Sequence, residues 1–358
     1  MNQVAAPVEM MNALVLYGVG DIRHTRVPRP AVAPGQALLH IKFCGVCGSD
    51  IPRVFRKGTY RFPTICGHEF AGIIEKTAPD VKEFAAGDRV AVFPLLWCGK
   101  CAACEQGRYV QCANYDYFGS RRDGGFAQYV AVPIHNLLRV PAEVSLEEAA
   151  MIEPAAVALH ALKQAGRNLV GRSVAIYGAG SIGLMVAQWA RIMGAAPIIL
   201  FDLVEQKLAL ARQMGFVHAY PIRREDSAPS IASLTAGAGV DVAVDAAGSP
   251  AALLQAMASV RRNGCVVLLG NPAGDLHLPA TLWSQLLRRE VTLAGVWNSE
   301  YSIAGNSDDW HATLAAMADG RINLRALITH RVPLEQAPAA LRMMRDNLEF
   351  HTKVLIQP

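Results

Sequence analysis

No apolar run in this chain reaches the roughly eighteen residues that a membrane-spanning helix needs, so it is expected not to cross a bilayer. The first residues lack the basic-then-apolar pattern of a secretory signal, and neither a solenoid-length repeat nor a low-complexity tract occurs. Lys and Arg number 34 against 30 Asp and Glu, a formal charge of +4. They are scattered, and no basic run with interleaved aromatics marks a nucleic-acid surface. Only 18% of residues are charged while 52% are hydrophobic, which excludes a disordered or fibrous chain and fits a well-buried α/β protein. At 358 residues the chain exceeds the usual size of one core, so two domains are expected. Together these absences predict a cytoplasmic protein with no nucleic-acid and no membrane partner.

Cysteine is also sparse, eight in all, yet four fall together at Cys98, Cys101, Cys104 and Cys112. A disulfide cluster and a tetrahedral zinc site compete as explanations. Spacing favours zinc, because Cys-x-x-Cys turns present thiolates to one metal without closing strained loops. Four thiolates leave no open position, so the site is expected to fold a lobe, residues 95–115, and to do no chemistry.

Residues 1–10 have no periodicity and read as an extension ahead of the first strand, 13–17. From there to about residue 150, short β-rich runs such as 37–43 and 89–93 are broken by Gly and Pro, which predicts a compact irregular β domain. The texture changes at Glu153-Pro154. Helical spacing over 155–162 gives way to strands at 173–177, 197–202, 217–222, 241–246, 265–269 and 291–297, with helical segments between them. Strand then helix, repeated, predicts a doubly wound parallel six-stranded sheet. After 297 the alternation stops, and two helical stretches and a strand at 352–356 are expected to return to the first domain.

Within the alternating region, Gly178-Ala179-Gly180-Ser181-Ile182-Gly183 follows an apolar strand and opens a helical run. A bare Gly-x-Gly-x-x-Gly is weak evidence, but here strand, turn and helix are all in place, and Asp202 closes the next strand about twenty residues on. The glycines allow a tight turn and close approach of a pyrophosphate, whose charge the amides of the helix N-terminus receive. Asp202 would accept hydrogen bonds from the adenosine ribose and repel a 2′-phosphate, favouring NAD over NADP. Lys207, five residues after Asp202, is a further candidate cofactor-binding residue.

Upstream, Cys44-Gly45-Val46-Cys47-Gly48-Ser49-Asp50 is followed by Gly67-His68-Glu69, with Glu153 at the domain seam. Singly each is bland: Cys44, Cys66 and Cys265 read as small core residues and a lone His68 as a core histidine. As a set, one thiolate, one imidazole and one carboxylate beside a dinucleotide site make the incomplete shell of a catalytic zinc.

These residues resemble the zinc-dependent medium-chain dehydrogenases, the group of alcohol and sorbitol dehydrogenases. The resemblance runs from about Ala13 to Lys353-Val354-Leu355-Ile356. The runs Cys47-Gly48-Ser49-Asp50-Ile51-Pro52-Arg53, Gly119-Ser120-Arg121-Arg122-Asp123-Gly124-Gly125-Phe126 and Asp275-Leu276-His277-Leu278 are similar to a subgroup that acts on a polyol phosphate. It implies a GroES-like β-rich catalytic domain, residues 11–158 and 298–358, interrupted by a Rossmann domain, 159–297. It implies two zinc ions per subunit, one of them catalytic on Cys47, His68 and Glu153, with Glu69 either a ligand or a neighbour of the metal. Ser49 matches the hydroxyl that relays the substrate proton and Asp50 the partner of the ligand histidine. Pro52 stands where many relatives carry a relay histidine. Arg53, Arg121 and Arg122 are the candidate phosphate ligands. The resemblance further implies a homodimer or homotetramer joined through the strand at 292–297. The rival readings are a sorbitol- or threonine-type enzyme for an unphosphorylated substrate, a catalytically silent NAD-binding protein and, more remotely, a zinc-ribbon nucleic-acid binder.

Overall fold

The computed structural model describes residues 8–222 and 227–358, so the expected N-terminal extension falls mostly outside the described residues. The chain divides into two compact units. One comprises the segment ending at Glu153 with Tyr301–Ala318 and Leu327–Pro358, the other Pro154–Glu300 with Asp319–Ala326. These divisions fall a few residues from the expected 158 and 297, and the stretch 319–326, read from sequence as part of the first domain, packs with the second. Among the described residues no helix is long and apolar enough to cross a membrane.

The first unit is built on the strand Gln36–Gly45, whose residues Ala37, Leu38, Leu39 and Ile41 have no exposed surface. A strand buried on both faces needs a near-continuous apolar run, and Ala-Leu-Leu supplies it. It pairs antiparallel with Glu69–Thr77, with Tyr129–Pro133 and with the chain's last strand, Lys353–Gln357. That last strand enters the sheet with Leu355 opposite Gly45 and Ile356 opposite Cys44, which carries Lys353 to the neighbourhood of Cys47. A smaller sheet of Asp21–Pro28, Met10–Gly18 and Thr64–Ile65 closes over a core that includes Leu14, Leu16, Phe70, Phe126, Leu341 and Ile356.

The second unit holds six strands: β1 (Val174–Tyr177), β2 (Ile198–Asp202), β3 (His218–Pro221), β4 (Val240–Asp245), β5 (Val260–Leu268) and β6 (Thr292–Gly295). All neighbours are parallel, in the order β3-β2-β1-β4-β5-β6. β1 and β4 are buried along their whole length, as parallel strands covered on both faces must be. Helix α1 (Ser181–Ile192) follows β1 directly. Strand order reverses between β1 and β4, which leaves a crevice at their carboxyl ends, the usual ligand position in such sheets.

Candidate active site and metal centres

Cys47 leaves the central strand of the first unit just before a short helical turn, Asp50–Pro52, that widens into a π-helical turn over Arg53–Lys57. His68 and Glu69 arrive from the opposite side, at the start of the strand Glu69–Thr77. Gly67 turns the chain into that strand at φ +91°, and a Cβ there would lie 2.5 Å from the Phe126 ring and 2.8 Å from Cys44 Sγ. Only glycine meets both demands. The result brings one donor atom each of Cys47, His68 and Glu69 within 4.8 Å of one another.

The surroundings hold these groups by charge and hydrogen bonds. Asp50, fully buried, accepts from Cys47 N at 3.0 Å through Oδ2, while its Oδ1 lies 3.6 Å from His68 Nδ1 and 2.5 Å from Arg53 Nη1. Burial works to raise the Asp50 carboxyl, but His68 and then Arg53 outweigh it and hold its pKa down. Burial likewise opposes protonation of His68, yet Asp50 and Cys47 raise its pKa well above the usual imidazole range. A pocket that stabilises positive charge on a buried imidazole suits a cation. Glu69 forms a buried ion pair with Lys353, whose pKa is raised by Glu69 and Cys47 against the effect of burial.

Glu153 stands apart from that set. Its carboxylate opens the helix Ile152–Gln164 and accepts a hydrogen bond from Tyr117 Oη at 3.2 Å, and it is not within 4.8 Å of all three clustered donors. Burial pushes it up to about 7, with the charge of His68 opposing and that of Glu69 adding to the rise. The structure therefore places Glu69 beside Cys47 and His68, where sequence had left its role open, and Glu153 one step back. The thiol–imidazole–carboxylate donor set fits a zinc ion with an open position. Cys44 and Cys66 are buried thiols, burial pushing Cys66 up to about 12, which suits core packing rather than ligation.

Cys98, Cys101, Cys104 and Cys112 form a second group, each sulfur within 4.8 Å of the others and none in a disulfide. Cys98 N donates to Cys112 Sγ at 3.2 Å. Backbone amides of Ala113 and Cys104 point at the Cys101 sulfur and lower its pKa to about 6, and the Lys100 amide lowers that of Cys98. Amides aimed at sulfur favour thiolate, the form that binds metal. The donor chemistry fits a closed tetrathiolate zinc site.

In the second unit the glycine loop joins β1 to α1. Gly178 adopts φ +108°, and a Cβ on Gly183 would stand 1.8 Å from the Gly178 carbonyl oxygen, so helix and strand meet closer than any side chain permits. Gly180 caps α1, and Ser181, Ile182 and Gly183 form its first turn. Asp202, at the end of β2, accepts from Ala179 N at 2.7 Å and from Val204 N at 2.9 Å, with Lys207 Nζ 3.9 Å away. Its carboxylate thus braces the loop and still has lone pairs to offer a ribose.

Two domain models match: residues 33–142 the alcohol dehydrogenase GroES-like domain and residues 181–319 the zinc-binding dehydrogenase domain. Galactitol 1-phosphate 5-dehydrogenase of Escherichia coli (strain K12) is 36% identical over 324 residues, 90% of this chain and 92% of the relative. The chain belongs to the zinc-dependent medium-chain dehydrogenases. Sorbitol dehydrogenase of Bacillus subtilis (strain 168) is 33% identical over 97% of both chains. Among solved structures, galactitol-1-phosphate dehydrogenase from Escherichia coli superposes with a TM-score of 0.90 at 34% identity, covering 97% of this chain and 100% of that one. A protein described as a zinc-binding dehydrogenase from Sinorhizobium meliloti 1021, solved with NADP, gives 0.89 at 30% identity, covering 98% and 100%.

For a dehydrogenase of this family the other expected residues fall as follows. Ser49 is half-buried, its amide 3.5 Å from Cys47 Sγ, and its hydroxyl has no partner among the described residues. Arg53 is committed to Asp50, Arg122 lies 2.9 Å from Asp116, and Arg121 lies over the rings of Tyr60 and Tyr115. Sequence reasoning missed Tyr117, Lys353 and Asp245. Asp245, at the end of β4, accepts from Ala247 N and Gly248 N and so shapes the loop facing Gly178. Its place at a strand's carboxyl end was the one available signal.

Proposed function

We propose that this dehydrogenase oxidises a secondary alcohol of a polyol phosphate with NAD, and we infer galactitol 1-phosphate and L-tagatose 6-phosphate as the pair, the first being the substrate named for a 36% identical relative. The observation that carries the reading is the cluster of half-buried Cys47 with buried His68 and Glu69 in one unit together with a braced dinucleotide loop in the other. A catalytically silent relative has no reason to keep both. Zinc at the cluster, held by Cys47, His68 and a carboxylate from Glu69 or Glu153, would supply the Lewis acidity that makes an alcohol O–H acidic near neutral pH. The four thiolates of Cys98, Cys101, Cys104 and Cys112 would hold a second zinc that supports the lobe.

The chain's own groups then divide the work. Asp50 fixes the Cys47 amide and faces His68 Nδ1, which leaves Nε2 as the nitrogen for the metal. Ser49 accepts the alcohol proton and passes it towards solvent or the cofactor ribose, Pro52 offering no further relay. NAD held by the glycine loop and Asp202 would supply the hydride acceptor, so that a secondary alcohol and oxidised NAD would give a ketone, NADH and a proton. Asp202 favours NAD, because a 2′-phosphate would meet a carboxylate and Leu203 follows it where an arginine would be useful. The subunits are proposed to associate as a dimer or tetramer.

A sorbitol-type enzyme for an unphosphorylated polyol is the second reading. It is favoured by the 33% identity to sorbitol dehydrogenase over 97% of the chain and by the loss of Arg53 to Asp50. NADH formation measured over a panel of polyols, amino alcohols and polyol phosphates, with NADP as the competing cofactor, separates the two. The main reading requires the highest kcat/KM with a phosphorylated polyol and NAD. Faster turnover of free sorbitol would replace it.

A further inference from the structure

We propose that Arg121 is the phosphate anchor of this enzyme, held for that task between the rings of Tyr60 and Tyr115. This rests on the polyol-phosphate reading above and names the group that would read the phosphate. The neighbouring arginines are already committed elsewhere. Arg53 is tied to the buried Asp50 at 2.5 Å, Arg122 to Asp116 at 2.9 Å and Arg61 to Asp123 at 3.3 Å. Arg29 is shared by Glu9 and Glu75. Each of these charges is answered. Arg121 has no carboxylate partner among the described residues, and its guanidinium carbon lies 4.0 Å from the centre of the Tyr60 ring and 4.6 Å from that of Tyr115.

Stacking uses the faces of a guanidinium. Its N–H groups all lie in the plane and point outward from the edges, so a stacked arginine keeps its fork free for a tetrahedral oxyanion. Because the rings already restrict the side chain, little of its freedom remains to be lost when an anion binds. Arg121 also opens on a cavity of about 590 Å3 that it lines with Arg61, Thr64, Asp116 and Arg122, a volume in the range of small-molecule sites. The two carboxylates that line the same cavity, Asp116 and Asp123, are neutralised by Arg122 and Arg61. The backbone ties this arginine to the metal cluster. Arg121 N donates to the Tyr117 carbonyl at 3.0 Å, and Tyr117 reaches Glu153 through its hydroxyl, with its ring 5.8 Å from that of His68. Tyr117 thus links the turn that carries Arg121 to Glu153 and His68.

The test compares wild type with Arg121→Met, Arg121→Lys and Tyr60→Leu, each checked for NAD binding and folded spectra. For each, the ratio of kcat/KM for a polyol phosphate to that for the same polyol is measured. Arg121→Met should lower that ratio about ten- to a hundredfold, mostly through KM, the scale of a charge-assisted contact. Arg121→Lys should recover part of it, and Tyr60→Leu should fall between wild type and Arg121→Met. A ratio unchanged in Arg121→Met, or both substrates weakened alike, would overturn the assignment. If wild type itself shows no preference for the phosphorylated polyol, the substrate reading fails separately. Inorganic phosphate titrated calorimetrically then decides the anchor: binding lost in Arg121→Met sustains it, and no binding to wild type ends it.

Discussion

At the scale of single residues, the most informative side chains are carboxylates that hold several donors at once. Asp241 is 8% exposed and sits at the opening of β4. Its Oδ2 accepts from Ser173 N at 3.0 Å and Ser173 Oγ at 2.8 Å, while Oδ1 accepts from Arg261 Nη2 at 2.6 Å and Arg172 Nη1 at 3.1 Å. One side chain thus fastens the entry of β1 to the entries of β4 and β5. Burial pushes its carboxyl up, but the Arg261 and Ser173 hydrogen bonds together pull it below the ordinary value of 3.8. Since the folded pKa is the lower one, the unfolded chain binds more protons between the two values. The stabilisation is complete above about 3.8 and is lost as pH falls through the folded value. Asp241→Asn should cost roughly 1.5–3 kcal/mol at pH 7, the worth of hydrogen bonds to a charged group, and should flatten the acid limb of stability against pH. Urea midpoints from pH 7 to pH 3 check this, and an acid limb as steep in the variant as in wild type would refute it. Arg53 teaches the same lesson in reverse. Read from sequence as a phosphate ligand, it is consumed by Asp50, because a buried carboxylate three residues away on a helical turn claims the first cation within reach.

At the scale of elements, what was legible in sequence is what is local. The strands expected at 173–177, 197–202 and 241–246 lie within a residue of β1, β2 and β4, because apolar runs bounded by Gly and Asp mark covered parallel strands without help from the rest of the chain. The four-cysteine lobe was legible for the same reason: fourteen positions separate its first ligand from its last. Contacts between distant segments were not. Lys353 meets Glu69 across 284 positions, a pairing set by where the last strand enters the sheet, and no periodicity encodes that. Tyr117 reaches Glu153 across 36 positions from a two-residue strand too short to be read as one. The lobe itself is expected to depend on a metal. Its helical pieces, Ala102–Glu105 and Tyr109–Gln111, are single turns that cannot persist alone, so the four sulfurs would need a bound metal to organise it. Cys101→Ser should bind about one zinc fewer per chain and melt several degrees lower. Elemental analysis beside a thermal melt is the measurement, and a variant with wild-type zinc content and melting point would mean that the lobe holds itself together.

At the scale of the whole molecule, the open end of the second unit's sheet calls for an explanation. β6 closes the strand order, paired with β5 on one side and with no strand among the described residues on the other. Natural sheets blunt such an edge with lysine, proline or a bulge, yet residues 292–297 read Thr-Leu-Ala-Gly-Val-Trp, with none of these. The apolar groups around it are exposed rather than folded away: Leu293 is 40% accessible, Trp297 54%, Trp283 49% and Leu287 61%. Trp283 and Leu287 stand one turn apart on the helix Ala280–Arg289, which ends just before the edge strand in the chain. Single exposed apolar residues are ordinary, but several of them near an unprotected edge are what a subunit interface would use. The partner that fits is a second copy meeting β6 by its own β6, since a two-fold axis satisfies both edges at once and leaves none open. Wild type should then have a light-scattering mass of at least twice 38.5 kDa at micromolar concentration. Leu293→Lys should shift the population to 38.5 kDa while sparing the fold of the unit, because a lysine on that edge neither pairs nor packs. A wild-type mass of 38.5 kDa throughout a concentration series, or a Leu293→Lys variant that associates as tightly as wild type, would show that β6 is not where the subunits meet.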